Sequence, residues 1–264
     1  MNFIKKTQNG IVYYYCPELL EKGFNHLFST RIGGCSFDKN ELNFGTSSGD
    51  TNENILKNYS RVFEILETTP ENTVKSKQTH SDTIITVDKS FGGEGIIKEQ
   101  RFFEADGLIT TDSDLTLLVF YADCVPVIIA DPVGKSACAV HSGWRGTKEN
   151  IAIKAIEKMV NLGSEPKDLI AVIGPAIGLC HFEVSENVYM EFKNSPYNEF
   201  AIEKDNKFYI DLKKTVKKQI IDSGVLEENI AISDICTFCD EELYSFRRQG
   251  EKAGRMAAFI KTPK

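Results

Sequence analysis

Two histidines and a cysteine, far apart in the chain, have the residue types of an open metal site. His141 closes the small apolar run 137–140 and opens HSGWRG (141–146). Cys124 lies in YADCVPV (121–127), and His80 in KQTHSD (77–82). A thiol and an imidazole brought together are either a Cys/His catalytic pair or two metal ligands. With His80 as a third member and no fourth protein donor, the set has the arrangement of a catalytic zinc, where water or substrate takes the vacant position. Taken singly, each residue has a duller reading. Cys124 suits a buried small hydrophobe and His80 a polar strand end. The joint reading gains weight because two of only four histidines lie beside glycine or polar turn chemistry.

Anion chemistry is expected next to His141. Arg145 lies just ahead of a helix expected from Thr147, and Gly143 and Gly146 let backbone N–H groups approach a ligand closely. A helix N-terminus offers unsatisfied donors and partial positive charge, which suits phosphate or carboxylate. The plain alternative is that Gly146 eases the turn and Arg145 pairs with a surface acid. Trp144 reads better as a wedge between helix and sheet than as a stacking partner for a base.

Further arginines stand in glycine-flanked stretches that could converge on the same pocket: Arg31 in STRIGGCSF (29–37), Arg247 and Arg248 in SFRRQG (245–250), and Arg255 after Gly254. Each signal is weak alone, because arginine is usually at a solvated surface. Cys236 and Cys239 form a C-x-x-C. A closed zinc site needs two more ligands, which Cys180 and His181 could supply, but the residues alone favour ordinary packing with no metal. A redox role lacks the surrounding βαβ pattern.

The elements that must position these residues alternate without strict βα order. Strand-like apolar runs cover 83–87, 115–122, 127–130, 137–140, 169–173 and 256–260, several of them apolar on both faces, as in sheets covered on both sides. Helical stripes run through Ile55, Leu56, Tyr59, Val62, Phe63 and Leu66 after Asp50 or Thr51, and through Ile151, Ala152, Ala155, Ile156, Met159 and Val160. The second is expected to start at an N-cap Thr147 and stop at Gly163. A third stripe, Leu212, Val216, Ile220 and Ile221, follows Asp211. DPVGK (131–135) reads as a hairpin turn, and the resulting register sets Pro126 opposite His141 and Cys124 near it. An α/β class with mixed sheets follows.

The bulk numbers limit the partners. A chain of 264 residues suffices for one full core and is expected to be a single domain over 1–264. A net charge of −7 argues against nucleic acid or an anionic membrane surface, while local cations can still hold a small phosphorylated ligand. The N-terminus has no signal-peptide pattern, and seven cysteines is an odd number, so reduced thiols in the cytoplasm are expected.

With these residues assembled, the chain resembles the YfiH/laccase-domain family. The matching blocks, in order, are TRIGGCS (30–36), LNFG (42–45), KQTHSD, ADGLITT (105–111), YADCVPV, AVHSGWRGT (139–147), IGPAIGLCHFEV (173–184) and SFRRQGEKAGR (245–255). The resemblance implies a four-layer α/β/β/α sandwich with mixed sheets and a zinc held by His80, Cys124 and His141. It also implies Arg31, Asn43, Arg247 and Arg248 around the pocket. The implied activity is phosphorolysis of adenosine, inosine, guanosine and S-methyl-5′-thioadenosine, with adenosine deamination, and nucleoside and phosphate as partners. In that reading Cys124, His80, His141 and Asp123 form the catalytic set. Asp123 serves as acid/base or as the group orienting His80 or His141, and Arg145 meets phosphate. A second implied activity is amide hydrolysis in cytoplasmic peptidoglycan precursors. A polyphenol oxidase fits poorly, because four histidines cannot supply a multicopper cluster, although His₂Cys could hold one copper. The expected assembly is a monomer or homodimer.

Overall fold

The structure, a computed structural model, describes residues 1–37, 39–99 and 104–264. Its frame is two six-stranded sheets. The first has the order Ile4–Gln8, Ile11–Tyr15, Asn25–Ser29, Met256–Lys261, Thr116–Tyr121, Thr73–Lys75, antiparallel except for its last pair. The second has the order Ile230–Ile232, Ile170–Ile173, Val125–Asp131, Ser136–Ser142, Gly107–Thr110, Ile84–Thr86, with a parallel pair at each edge. Both sheets are mixed, as expected, and all six strand-like runs lie in them.

Side-chain alternation explains why these strands read as unbroken apolar runs. In Val125–Asp131, the residues Val125, Val127 and Ile129 enter one core, while Ile128 and Ala130 enter another. In Thr116–Tyr121, Leu117, Val119 and Tyr121 share that second core and Leu118 faces a third. The middle core is therefore the seam where the sheets meet. Helix Asn52–Leu66 covers the far face of the first sheet with Ile55, Tyr59, Val62, Phe63 and Leu66. Helices Ile151–Asn161, Glu186–Lys193 and Leu212–Asp222 cover the far face of the second. The result is the expected four-layer α/β/β/α sandwich, in which no strand of the seam needs a polar face.

Helix starts mostly follow their caps. Thr51 accepts the Asn54 N–H at 3.2 Å, and Asp211 accepts that of Lys214 at 3.1 Å. Thr147 departs from expectation. It lies inside a short helix, Trp144–Lys148, whose N-cap is Gly143, and its hydroxyl donates to the Gly143 carbonyl at 3.0 Å. The next helix begins after Asn150, whose φ of 61° turns the chain between the two segments at a residue type that tolerates the left-handed region.

Candidate metal centre and its cavity

The site forms where the chain crosses from one sheet to the other. Residues 122–124 link the end of Thr116–Tyr121 to the start of Val125–Asp131, and Cys124 projects from that crossover. The following hairpin folds as the turn chemistry predicts: the Asp131 carboxylate accepts the Val133 and Gly134 N–H groups, each at 2.8 Å. Its register pairs His141 with Pro126, which returns the imidazole beside the Cys124 thiol. His80 completes the set, and the ligand atoms of all three lie within 4.8 Å of one another.

The residue that organises this trio is Asp106, whose carboxyl is fully buried. Oδ1 meets His141 Nδ1 at 2.7 Å, so that nitrogen carries the proton and Nε2 is left to face the site. The same carboxylate accepts the backbone N–H groups of Thr79 (3.1 Å), His80 (3.1 Å) and Ser81 (2.7 Å), and the Ser81 hydroxyl at 2.7 Å. These bonds hold His80 at a φ of 60°, a left-handed conformation that an isolated histidine rarely adopts. Gly143 seals the back of the trio. A Cβ there would lie 3.0 Å from His80 Cδ2 and 3.3 Å from Cys124 Sγ.

Charge follows this geometry. Burial pushes the Cys124 thiol up, but the facing His141 charge and hydrogen bonds from both histidines outweigh it and bring it down to about 6. Burial acts downward on His141, and the Cys124 thiolate with the Asp106 bond raise it to about 9. Asp106, pushed up by burial, is drawn down to about 2 by His141 and Ser81. Two imidazoles and a ready thiolate with one nitrogen already tied by a carboxylate suit zinc.

The trio opens onto a cavity of about 730 Å³. Phe120, Phe182, Phe246 and Ile177 give it apolar walls, and Lys75, Arg247 and Arg255 bring positive charge to it, while Lys77 at its edge is paired with Glu104 at 2.8 Å. Gln78 anchors one wall: its amide donates to the Phe120 carbonyl at 2.8 Å and accepts the Phe120 N–H at 2.6 Å, as a strand neighbour would. Arg247 and Arg255 lie over the rings of Phe182 and Phe246, at 5.5 and 5.8 Å.

The other residues singled out in the sequence are distributed unevenly. Asp123 lines the cavity, but its oxygens accept from Thr237 Oγ1 and the Arg247 N–H, both at 2.6 Å, so it anchors the segment carrying Arg247. The orienter of His141 is Asp106, not Asp123. Arg31 pairs with Glu41 at 2.6 Å, lies over the Tyr244 ring and does not line the cavity. Asn43 is fully buried, and it supports the cavity at one remove by accepting the Arg255 N–H at 2.8 Å. Arg248 donates to the carbonyls of Thr237, Phe238, Asp240 and Leu243. Arg145 stacks on Trp144 at 4.4 Å and borders a smaller cavity of about 320 Å³ on another side of His80. The five-residue helix there is too short to provide the anion site expected at Thr147.

No signal along the chain points to Asp106, because its role comes from the short strand Gly107–Thr110, which lies outside the apolar runs expected to be strands. That strand pairs with Ser136–Ser142, setting Gly107 opposite Val140, and the His141 N–H donates to the Asp106 carbonyl at 2.7 Å. Arg255, one of the glycine-flanked arginines expected to converge on the pocket, does line it.

Comparison with known proteins agrees with this architecture. The family model described as multi-copper polyphenol oxidoreductase laccase matches residues 25–263. A purine nucleoside phosphorylase of Clostridium acetobutylicum is 37% identical, over 94% of this chain and 95% of that protein. One of Bacteroides thetaiotaomicron is 33% identical, over 89% and 90%. Among solved structures, the hypothetical protein YfiH of Bacillus licheniformis superposes with a TM-score of 0.90 at 30% identity, covering 97% of each chain. YlmD of Geobacillus stearothermophilus superposes at 0.88 with 31% identity over the whole of both chains. On these matches the chain belongs to the multi-copper polyphenol oxidoreductase laccase family, the YfiH and YlmD family that its motifs resemble.

Proposed function

We propose that the chain is a zinc-dependent purine nucleoside phosphorylase. It takes adenosine, inosine, guanosine or S-methyl-5′-thioadenosine with phosphate to the free base and the corresponding ribose 1-phosphate, and deaminates adenosine at the same site. The observation that carries this reading is the open His80–Cys124–His141 set in the wall of a cavity with aromatic sides and with Lys75, Arg247 and Arg255 beside it. The purine nucleoside phosphorylase names of its relatives give the chemistry its direction.

His80, Cys124 and His141 would hold the zinc, which would supply Lewis acidity to the bound substrate. Asp106 keeps the His141 Nδ1 proton in place and so aims Nε2 into the site. Phe182 and Phe246 offer ring faces to a purine. Arg247 and Arg255 lie over those rings and offset the charge of phosphate in a chain whose net charge is −7. As a phosphate oxygen bonds C1′, the C1′–N9 bond breaks, and the proton carried by hydrogen phosphate ends on the departing base.

The test is the zinc-loaded chain given inosine or adenosine, with and without phosphate, beside Cys124→Ala. Free base with ribose 1-phosphate, formed only with phosphate and intact Cys124, is the expected result. Undiminished turnover in Cys124→Ala would overturn the metal reading. Amino-acid release from a muramoyl peptide precursor without nucleoside turnover would replace it with amide hydrolysis.

A further inference from the structure

One motif takes no part in that chemistry. The C-x-x-C of Cys236 and Cys239 folds against the turn 178–182, and Cys180, His181, Cys236 and Cys239 bring four donor atoms within 4.8 Å of one another. Cys180 Sγ lies 3.8 Å from Cys239 Sγ, and His181 Nδ1 lies 3.2 Å from Cys180 Sγ and 3.3 Å from Cys239 Sγ. A tetrahedral zinc, with bonds of about 2.3 Å to sulfur and about 2.0 Å to nitrogen, separates two sulfurs by about 3.8 Å and sulfur from nitrogen by about 3.5 Å. The sulfur–sulfur spacing equals that of such a shell, and the two sulfur–nitrogen spacings fall short of it by only about 0.2–0.3 Å.

The surroundings are shaped for it. The Gly178 N–H donates to Cys236 Sγ at 3.1 Å, and a Cβ on Gly178 would lie 3.2 Å from Cys180 Sγ and 3.4 Å from Cys236 Sγ. The N–H groups of Cys239 and Asp240 close on the Cys236 carbonyl at 3.1 and 3.0 Å, making a tight turn that points both thiols one way. The His181 ring stacks on Phe238 with centroids 4.1 Å apart, which fixes its plane. The Arg248 guanidinium gathers the carbonyls of this turn and completes its frame.

We propose that Cys180, His181, Cys236 and Cys239 form a second zinc site, closed by four protein donors and structural in role. Filling it forms three sulfur–zinc bonds and one nitrogen–zinc bond, and the three thiol protons pass to solvent. The site ties together the two segments that make one wall of the main cavity. Ile177 and Phe182 come from one segment. Thr237 and Arg247, the two partners of Asp123, come from the other. This zinc positions the wall, and its existence does not depend on which substrate the cavity takes.

The test counts metal in the full chain, purified under reducing conditions and equilibrated with zinc. Elemental analysis is expected to find two zinc ions per chain in the parent. One is expected in the double variant His80→Ala/Cys124→Ala, and one in Cys180→Ser/Cys239→Ser. A parent with one zinc that Cys180→Ser/Cys239→Ser retains overturns the proposal. Because the serine variant could misfold, cobalt loaded into His80→Ala/Cys124→Ala supplies a second measurement. Intense sulfur-to-cobalt charge-transfer bands with tetrahedral visible bands support the site, and their absence overturns it. A Cys180–Cys239 disulfide found by peptide mass mapping of the reduced preparation also overturns it.

Discussion

The trio His80, Cys124, His141 and the quartet Cys180, His181, Cys236, Cys239 draw on the same two residue types, and the roles proposed for them are opposite. The trio has one thiol, two imidazoles and a buried carboxylate behind them, and it faces a cavity. The quartet has three thiols and one imidazole, and backbone N–H groups and a guanidinium shape it. With zinc in each, as proposed, the single thiolate would leave the trio with a net charge of +1 and able to act as an electrophile. Three thiolates would leave the quartet at −1, which would quench Lewis acidity and suit a brace. The difference teaches that donor count and ligand charge, not the presence of cysteine and histidine, separate a reactive centre from a structural one.

Variants can sharpen or break that contrast. The largest effect is expected for Cys124→Ala, a fall in phosphorolysis beyond the ~10²-fold typical of changes outside the ligand shell, with the quartet's zinc retained. Asp106→Asn keeps the shape but weakens the hold on His141 and the turn 79–81. A loss of ~10–100-fold in zinc affinity at the trio is expected, measured by competition with a chromogenic chelator. Gly143→Ala sets a methyl 3.0 Å from His80 Cδ2, and about tenfold lower kcat/KM is expected, in line with the ~1–3 kcal/mol cost of overpacking. Cys180→Ser/Cys239→Ser should lower the melting temperature and raise the nucleoside KM by less than about tenfold, far short of the effect at Cys124. Equal loss of kcat in the two cluster variants would erase the distinction.

The smallest effect concerns His26, the one histidine outside both clusters. It is buried, its Nδ1 proton goes to the Phe24 carbonyl at 2.9 Å, and its Nε2 accepts the Cys16 N–H at 2.9 Å. Burial pushes it down to about 4 from 6.5. Because the folded value lies below the unfolded one, the unfolded chain takes up the extra proton between them. The stability contributed is present above pH 6.5 and is lost as pH falls towards 4. In chelator-treated protein, the drop in melting temperature from pH 7 to pH 5 should therefore be smaller in His26→Gln than in the parent.

Much of the frame was legible along the chain. The unbroken apolar runs 115–122 and 127–130 and the period-3.6 stripe of 55–66 marked strands and a helix, and the turn chemistry of Asp131 and Gly134 brought His141 back beside Cys124. These rest on interactions within a few residues, so they survive in a one-dimensional reading. Asp106 did not, because its importance comes from pairing a four-residue strand with a hairpin 30 residues away and from N–H groups at 79–81 that converge only in the folded chain. The same holds for the arginines. Arg31 turns to Glu41, Arg248 to four carbonyls and Arg145 to Trp144, while Arg247 and Arg255 reach the cavity.

Along the chain, residue types alone name the donors that could bind metal, and local periodicity marks the central strands and three of the helices, because side-chain chemistry and short-range pattern are carried residue by residue. Short strands such as Gly107–Thr110 are not marked. Only the tertiary structure decided which donors share a centre, which carboxylate holds them and which cations face substrate. Those outcomes depend on how the two sheets meet and on hydrogen-bond partners that no local pattern specifies.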